Sequence, residues 1–164
     1  MKHNNKFSTQ RAVTDFGQLI GCILFFTTWI IDSFIIHFSD FLARNVLLLI
    51  RIPTGTATIL FALVMAYTSY KLVFKKQNLK ATLITKGFFQ FLRHPIYFAE
   101  ILIYTGLVFI TFSIASLCIT AGIFIFLHII ASIEEKQLES LFGKVYTDYK
   151  KNTGKWFPKL IKSQ

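Results

Sequence analysis

Long apolar runs separated by short polar or basic stretches dominate the chain. The first runs from about Val13 to Phe38 and the second from about Thr54 to Phe74. A third starts at Pro95 and a fourth ends near Ile133. The block Ile96 to Ile133 has 38 residues. One helix crosses a bilayer core in roughly 20 residues, so this block is too long for one span and right for two. The best turn lies at Thr111 to Ser113, where no charge stands, which predicts a tight hairpin close to the far membrane face. Open strands would leave backbone groups unpaired in lipid, so the spans are expected to be helices. After them, Ile133, Leu138, Leu141, Phe142, Val145, Tyr146 and Tyr149 recur at three- and four-residue steps, with Lys136, Glu139, Lys144 and Lys150 mostly elsewhere. That pattern predicts an amphipathic helix on the membrane surface, weakened at Gly143. The expected fold class is all-α: a polytopic membrane protein of about four transmembrane helices plus a C-terminal amphipathic helix.

The basic residues orient this arrangement. Lys71, Lys75, Lys76, Lys80, Lys86 and Arg93 lie between the second and third runs with no acid among them, and seven lysines follow Ile133. The loop after the first run offers only Arg44 and Arg51 beside Asp40. The positive-inside rule then puts both termini in the cytosol and requires an even number of spans. Residues 1–11 carry Lys2, Lys6 and Arg11 like the start of a signal peptide. The apolar run behind them is longer than a signal core and no A-x-A site closes it, so it reads as a retained anchor.

Composition agrees. Apolar residues make up 54% of the 164, including 19 Phe, while charged residues are 16%. A soluble sphere of this size has too little interior for so much apolar surface. This excludes a soluble enzyme and a disordered chain. Cys22 and Cys118 both lie in apolar runs, which excludes a disulfide scaffold. The net charge of +10 is concentrated between the runs and at the ends. It fits topology and attraction to anionic lipid, and no partnership with nucleic acid is expected. One integral membrane domain, 1–164, is expected, with N-terminal spans in 1–79 and the chemistry in 80–164. The partners expected are membrane lipids and a lipid or lipidated substrate. The short chain without a retention signal favours a bacterial inner membrane.

Candidate chemistry collects at one end of the last two spans. Pro95 suits the first helical position and holds His94 extended at the cap, with Arg93 before it. The first amides of that helix can receive a negative group; a plain membrane-edge anchor would use the same residues. Tyr97, Glu100 and Tyr104 share a face, and Glu100 lies one and a half turns inside the span. An ionisable group there is either functional or a neutral acid bonded to another helix. Glu134 and Glu135 end the fourth run, where two acids oppose the helix dipole unless the helix continues or they find partners such as Arg93 and Lys86. Adjacent helical residues diverge by about 100°, so one Glu can face a ligand and the other a basic side chain. Two solvated acids are the alternative. His128 lies seven residues before Glu135, on about the same stripe. Asp32 and His37 read as interfacial, without a role. No His/Cys cluster has metal-ligand spacing, so no metal site is expected.

The string Gly87 through Arg93-His94-Pro95-Ile96-Tyr97, with Leu102 and Gly106 behind it, resembles the R-H-P-x-Y region of the isoprenylcysteine carboxyl methyltransferase and phospholipid methyltransferase superfamily. Glu134-Glu135-Lys136-Gln137-Leu138, then Phe142-Gly143-Lys144-Val145-Tyr146, Tyr149 and Pro158, is similar to its E-E-x-x-L and F-G-x-x-Y-x-x-Y elements and closing Pro. The likeness covers residues 80 to 160, and the first two spans show no motif. Three positions depart from the family pattern: Ala99 stands for a frequent Gly, no Arg precedes the Glu pair, and Lys155 stands where Arg is frequent.

The resemblance implies an integral membrane methyltransferase with S-adenosylmethionine bound on the cytosolic side. His94, Tyr97, Glu134, Glu135, Tyr146 and Tyr149 would hold or enclose the cofactor. Arg93 would support the site by pairing with an acid, with Lys155 beside it. Carboxyl methylation of a lipid-like acceptor is the family-level expectation, and N-methylation of an aminophospholipid is the runner-up. An ionised carboxylate needs no base, whereas an ammonium must first lose a proton, a task open to Glu100 or His128. Readings of other classes are a small proton-coupled transporter, with Glu100 as its proton site, and a non-catalytic membrane scaffold.

Overall fold

The computed structural model describes residues 2–37, 46–77 and 82–159, with side chains in 13–37, 46–75 and 82–159. The loop carrying Asp40 and Arg44 lies outside the described residues, as does Lys80. Five α-helices follow one another: α1 Lys2–Ile30, α2 Leu48–Gln77, α3 Pro95–Thr111, α4 Ile114–Phe142 and α5 Lys144–Asn152. A π-helical stretch, Ile31–Ile36, extends α1, and a 3-10 turn, Gly87–Gln90, leads toward α3. There is no strand among the described residues beyond one isolated bridge between Leu92 and Gly154. The protein is an all-α polytopic membrane protein.

Three helical segments, Val13–Ile36, Leu48–Lys75 and Ile114–Phe142, are long and apolar enough to cross a membrane. About four spans were expected; the fourth apolar helix is α3, which is shorter than the other three. It is apolar but has 17 residues, about 25 Å at 1.5 Å per residue. His94-Pro95 starts it late, and Phe112 ends it in a left-handed turn at φ 55°. Ser113 then caps α4, its Oγ accepting from the Ser116 amide at 3.1 Å, so the hairpin falls at Thr111–Ser113 as its uncharged sequence predicts. The Ser113 hydroxyl also donates to the Asp32 carboxylate. Asp32, read as interfacial and without a role, has a structural one. It is buried and ties the end of the first span to the hairpin, while His37 is exposed.

The tail is helical as its pattern predicts, and of the two ways open to the Glu pair the helix does continue. No Gly or Pro interrupts residues 123–142, so α4 continues straight through Ile133, Glu134 and Glu135 to Phe142. The break comes at Gly143, whose φ of 54° suits a residue without Cβ. The single amphipathic helix read from the sequence is thus divided between the end of α4 and the short α5.

Side-chain contacts give each helix its direction. On α1, Gln18 meets Glu100, Phe25 stacks on Tyr104 and Trp29 bonds Thr111. The numbers rise together, so α1 and α3 run parallel. Gly17 of α1 faces Phe126 of α4 and Gly21 faces Ile123, an antiparallel pairing. Gly55 of α2 touches Gly106 of α3, and Phe61 meets Phe88 just before α3, again antiparallel. The helices alternate in direction. The start of α1, the end of α2, the start of α3 and the end of α4 gather at one end of the bundle.

α3 is the centre. One face packs Tyr104, Ile101 and Val108 against Phe25, Ile123, Leu127 and Ala131. Ala99 joins Met65 and Leu92 on the α2 side. Between α2 and α3 the backbones approach closely: a Cβ on Gly55 would stand 2.5 Å from the Gly106 carbonyl, and one on Gly106 would stand 2.9 Å from that of Gly55. Lipid provides no hydrophobic drive between helices, so small residues that permit such contact supply the adhesion. Gly106→Leu is expected to destabilise the bundle by about 1–3 kcal/mol through overpacking, read as a lowered unfolding midpoint of the detergent-solubilised protein.

Candidate active site

The site is built where α3 begins. Leu92 and Gly154 form a short parallel bridge, with Arg93 N–H donating to the Gly154 carbonyl at 2.8 Å and Gly154 N–H to the Phe91 carbonyl at 3.2 Å. This bridge lays the strap after α5 against the lead-in to α3. Arg93 then reaches three acceptors. Its Nε donates to Glu135 Oε1 at 2.8 Å, and one terminal nitrogen donates to the carbonyls of Thr153 at 2.5 Å and Lys150 at 3.2 Å. Those carbonyls close α5, so the guanidinium caps the negative end of that helix while pairing with a buried acid of α4. Lys150 adds a second cation, 3.4 Å from Glu135 Oε2 and 2.6 Å from Glu139 Oε1. Lys86, the other partner weighed for the acids, forms no ion pair among the described residues.

The two adjacent acids diverge as helical geometry requires. Glu135 is 5% exposed and turned toward Arg93. Glu134 is one-third exposed and accepts the Tyr97 hydroxyl at 2.6 Å. His94, buried at the cap of α3, lies between them, Nδ1 3.6 Å from Glu134 and Nε2 3.4 Å from Glu135. Its ring stacks on Tyr97 at 5.6 Å with planes 5° apart, and Trp156 lies 6.2 Å away on another side. Tyr149 donates to the Phe89 carbonyl at 2.5 Å, holding α5 to the 3-10 turn. Tyr146 is buried beside Tyr149, with ring centres 5.9 Å apart. The structure thus brings together Arg93, His94, Tyr97, Glu134, Glu135, Tyr146 and Tyr149, residues spread over 57 positions and three helices.

Electrostatics sets their protonation. Burial pushes the Tyr149 phenol up to about 12, although Arg93 pulls the other way. Burial, then the charge of Glu135, raises Tyr146 as well. Both hydroxyls therefore keep their protons at neutral pH; Tyr149 donates to Phe89 and Tyr146 is able to donate. Lys150 is raised by its hydrogen bond to Glu139, and Lys155 is lowered by burial.

One buried polar atom of this cluster, Tyr146 Oη, has no hydrogen-bond partner among the described residues, and His94 Nε2 has only Glu135 Oε1 near it, at 3.4 Å. Such atoms are costly unless a ligand or water meets them. Beside them stand the stacked His94–Tyr97 faces and a carboxylate, Glu134, partly open to solvent. Stacked rings favour a cation or an aromatic base, and the carboxylate favours an ammonium or sugar hydroxyls. The donor set fits S-adenosylmethionine, which carries all of these.

The remaining candidates lie apart from this cluster. Glu100, three residues beyond Tyr97 and about 4.5 Å deeper along the helix axis, accepts from Gln18 Nε2 at 2.7 Å and from the Tyr104 hydroxyl at 3.2 Å. His128 Nδ1 accepts from Trp156 Nε1 at 2.9 Å. Lys155 donates to Ser132 Oγ at 2.6 Å and to the His128 carbonyl at 3.1 Å. Trp156 sits 6.2 Å from the His128 ring as well as from His94, and 5.0 Å from Phe124. Sequence reading missed Trp156 and Gln18. Trp156 was visible only as an aromatic in a basic tail, and Gln18 only as an amide inside an apolar run.

Helix topology and side-chain geometry together define a helical membrane protein with an acid–aromatic cluster at one end of its bundle. The family model described as phospholipid methyltransferase matches residues 44–145, more than half of the chain. The chain belongs to that family and is by that membership a membrane methyltransferase. No curated protein and no solved structure matches it. The match begins ahead of α2, so the family likeness extends over the second span, which carries no recognisable motif. It ends before Tyr146 and leaves α1 outside.

The buried position of Glu135 makes a stability prediction. Glu135→Gln leaves Arg93 without its charged partner and is expected to cost about 3–5 kcal/mol. The same exchange at the adjacent, partly open Glu134 should leave the unfolding midpoint nearly unchanged. Thermal denaturation of the two variants in detergent checks the contrast.

Proposed function

We propose that this protein transfers the methyl group of S-adenosylmethionine to an amine carried by a lipid that reaches the site sideways from the bilayer. The supporting observation is Glu100. It lies deeper in the bundle than the Tyr97–Glu134 contact, on the same face of α3, and its partners among the described residues are neutral. A carboxylate without a cationic partner, close to the cluster, suits an ammonium that must bind and then give up a proton. The family's description as phospholipid methyltransferases supports a lipid as the acceptor, whichever group on it receives the methyl.

When bound, S-adenosylmethionine supplies a methyl group already activated on a sulfonium sulfur. The chain's own residues bind, orient and exclude water. Glu134 would accept from ribose hydroxyls or an amino group, Tyr146 Oη would meet a polar atom of the ligand, and the His94 and Tyr97 rings would suit its sulfonium or base. Arg93 and Glu135 fix the cap of α3 against α4, so these groups hold their positions. Glu100 takes the proton from the acceptor nitrogen, freeing its lone pair. His128 suits this task less well, because the Trp156 N–H occupies Nδ1, and the neutral ring then carries its proton on Nε2. The basic residues Lys71, Lys75 and Lys86 and the described tail lysines flank this end of the bundle, which supports a cytosolic position for it.

One observation favours a second reading, carboxyl methylation. Among the described residues Lys155 donates to the neutral oxygens of Ser132 and His128. It can therefore receive a substrate carboxylate, though without the two-pronged grip of Arg.

Two experiments test these readings. Calorimetric titration with S-adenosylhomocysteine should show binding that weakens about tenfold in Tyr146→Phe and in His94→Ala, the scale of one lost hydrogen bond. Labelled methyl transferred into a total lipid extract should appear in base-stable amines. Base-labile esters would favour the carboxylate acceptor, and no transfer to any lipid would overturn the proposal. Glu100→Gln is expected to lower kcat by about 10²–10⁴-fold with affinity for S-adenosylhomocysteine unchanged.

A further inference from the structure

We infer that Gln18, on the first membrane helix, is a positioning residue for Glu100, so that α1 completes the acceptor half of the site. This rests on the proposed role of Glu100. It goes beyond the family relationship, because α1 lies entirely before residue 44, where the family match begins.

An amide inside an apolar span is costly to bury unless its hydrogen bonds are met. Gln18 meets this requirement on Glu100: its Nε2 donates to Oε2 at 2.7 Å, while the Tyr104 hydroxyl donates to Oε1 at 3.2 Å. Each carboxylate oxygen is thus held by a separate donor from a separate helix. Two donors on two oxygens fix the plane of the carboxylate, and the lone pair left on each oxygen remains free to accept a proton. With Tyr104 alone, one oxygen would be free to rotate.

The register of α1 is set independently of Gln18. Phe25 packs on Tyr104 with ring centres 4.4 Å apart, and Trp29 Nε1 donates to Thr111 Oγ1 at 3.1 Å. Positions 18, 25 and 29 follow steps of seven and four and share one helix face. α1 would therefore dock on α3 without the Gln18 bond, and the amide falls where it meets Glu100 as a consequence of that docking. A helix that served only as an anchor would need no amide there.

The test uses the full-length protein in lipid nanodiscs. Gln18→Met keeps the volume and removes the donor; Gln18→Asn keeps a donor on a shorter arm. Trp29→Phe removes a different α1–α3 hydrogen bond and controls for docking. The readouts are kcat and KM for the lipid acceptor, affinity for S-adenosylhomocysteine, and the infrared carboxylate stretch of Glu100, assigned by its disappearance in Glu100→Gln. Gln18→Met is expected to lower kcat about tenfold, the scale of a hydrogen bond to a charged group. It should shift the Glu100 band and leave S-adenosylhomocysteine affinity unchanged. Gln18→Asn should recover part of the loss, and Trp29→Phe should stay within about twofold of the parent in kcat.

Equal losses in Trp29→Phe and Gln18→Met would overturn the inference, as would an unmoved infrared band in Gln18→Met. If Glu100→Gln is inactive while Gln18→Met is fully active, the role of Gln18 alone fails. If Glu100→Gln is fully active, the reading of Glu100 fails first, and the inference with it.

Discussion

The arrangement of this protein depends on one guanidinium. Arg93 joins the lead-in to α3, the buried acid of α4 and the last carbonyls of α5, three segments that nothing else ties together so directly. Only a planar cation with several donors can do this, because the acceptors lie in different directions. Once Arg93 is held, its neighbour His94 has no freedom at the cap of α3, and Glu135 turns inward while Glu134 turns toward Tyr97. The acid–aromatic cluster follows from satisfying a single buried charge.

Helix length decides where that charge can sit. α3 has 17 residues and its antiparallel partner α4 has 29. The two share the hairpin at Thr111–Ser113, so α4 overhangs the start of α3 by about three turns. Glu134 and Glu135 stand at the beginning of the overhang, level with the lead-in to α3. The overhang also carries Glu139, which holds Lys150 of α5, so the short helix and the strap fold back over the same end. Trp156 closes this part by packing between His94 and His128.

The charges are divided accordingly. Arg93, Lys150 and His94 gather around Glu135, which makes Glu135 structural in character. Glu134 and Glu100 keep neutral hydroxyl or amide partners, apart from the His94 ring 3.6 Å from Glu134. An acid held by neutral donors stays available to a cationic ligand. On the proposed function, the side of the bundle formed by α1 and α3 would receive an ammonium, and Lys155 on the strap would be the corresponding place for an anion.

Much of this could be read along the chain. Apolar runs and basic connectors determined the helical membrane class, the hairpin at Thr111–Ser113 and the start of α3 at Pro95, because each follows from local backbone rules or from the cost of charge in lipid. That Arg93 rather than Lys86 meets an acid of the Glu pair was implied only by the family resemblance. The sequence could not show that the helix of α4 continues past Ile133 to Phe142, since an amphipathic pattern is the same whether its helix is separate or continuous. Nor could it show that Asp32 is buried against Ser113, or that Gln18 and Trp156 meet Glu100 and His128. Those contacts join residues 28 or more positions apart, and only the docking of α1 and the strap against α3 and α4 decides them. Periodicity states which face of a helix is apolar; packing chooses which neighbour that face meets.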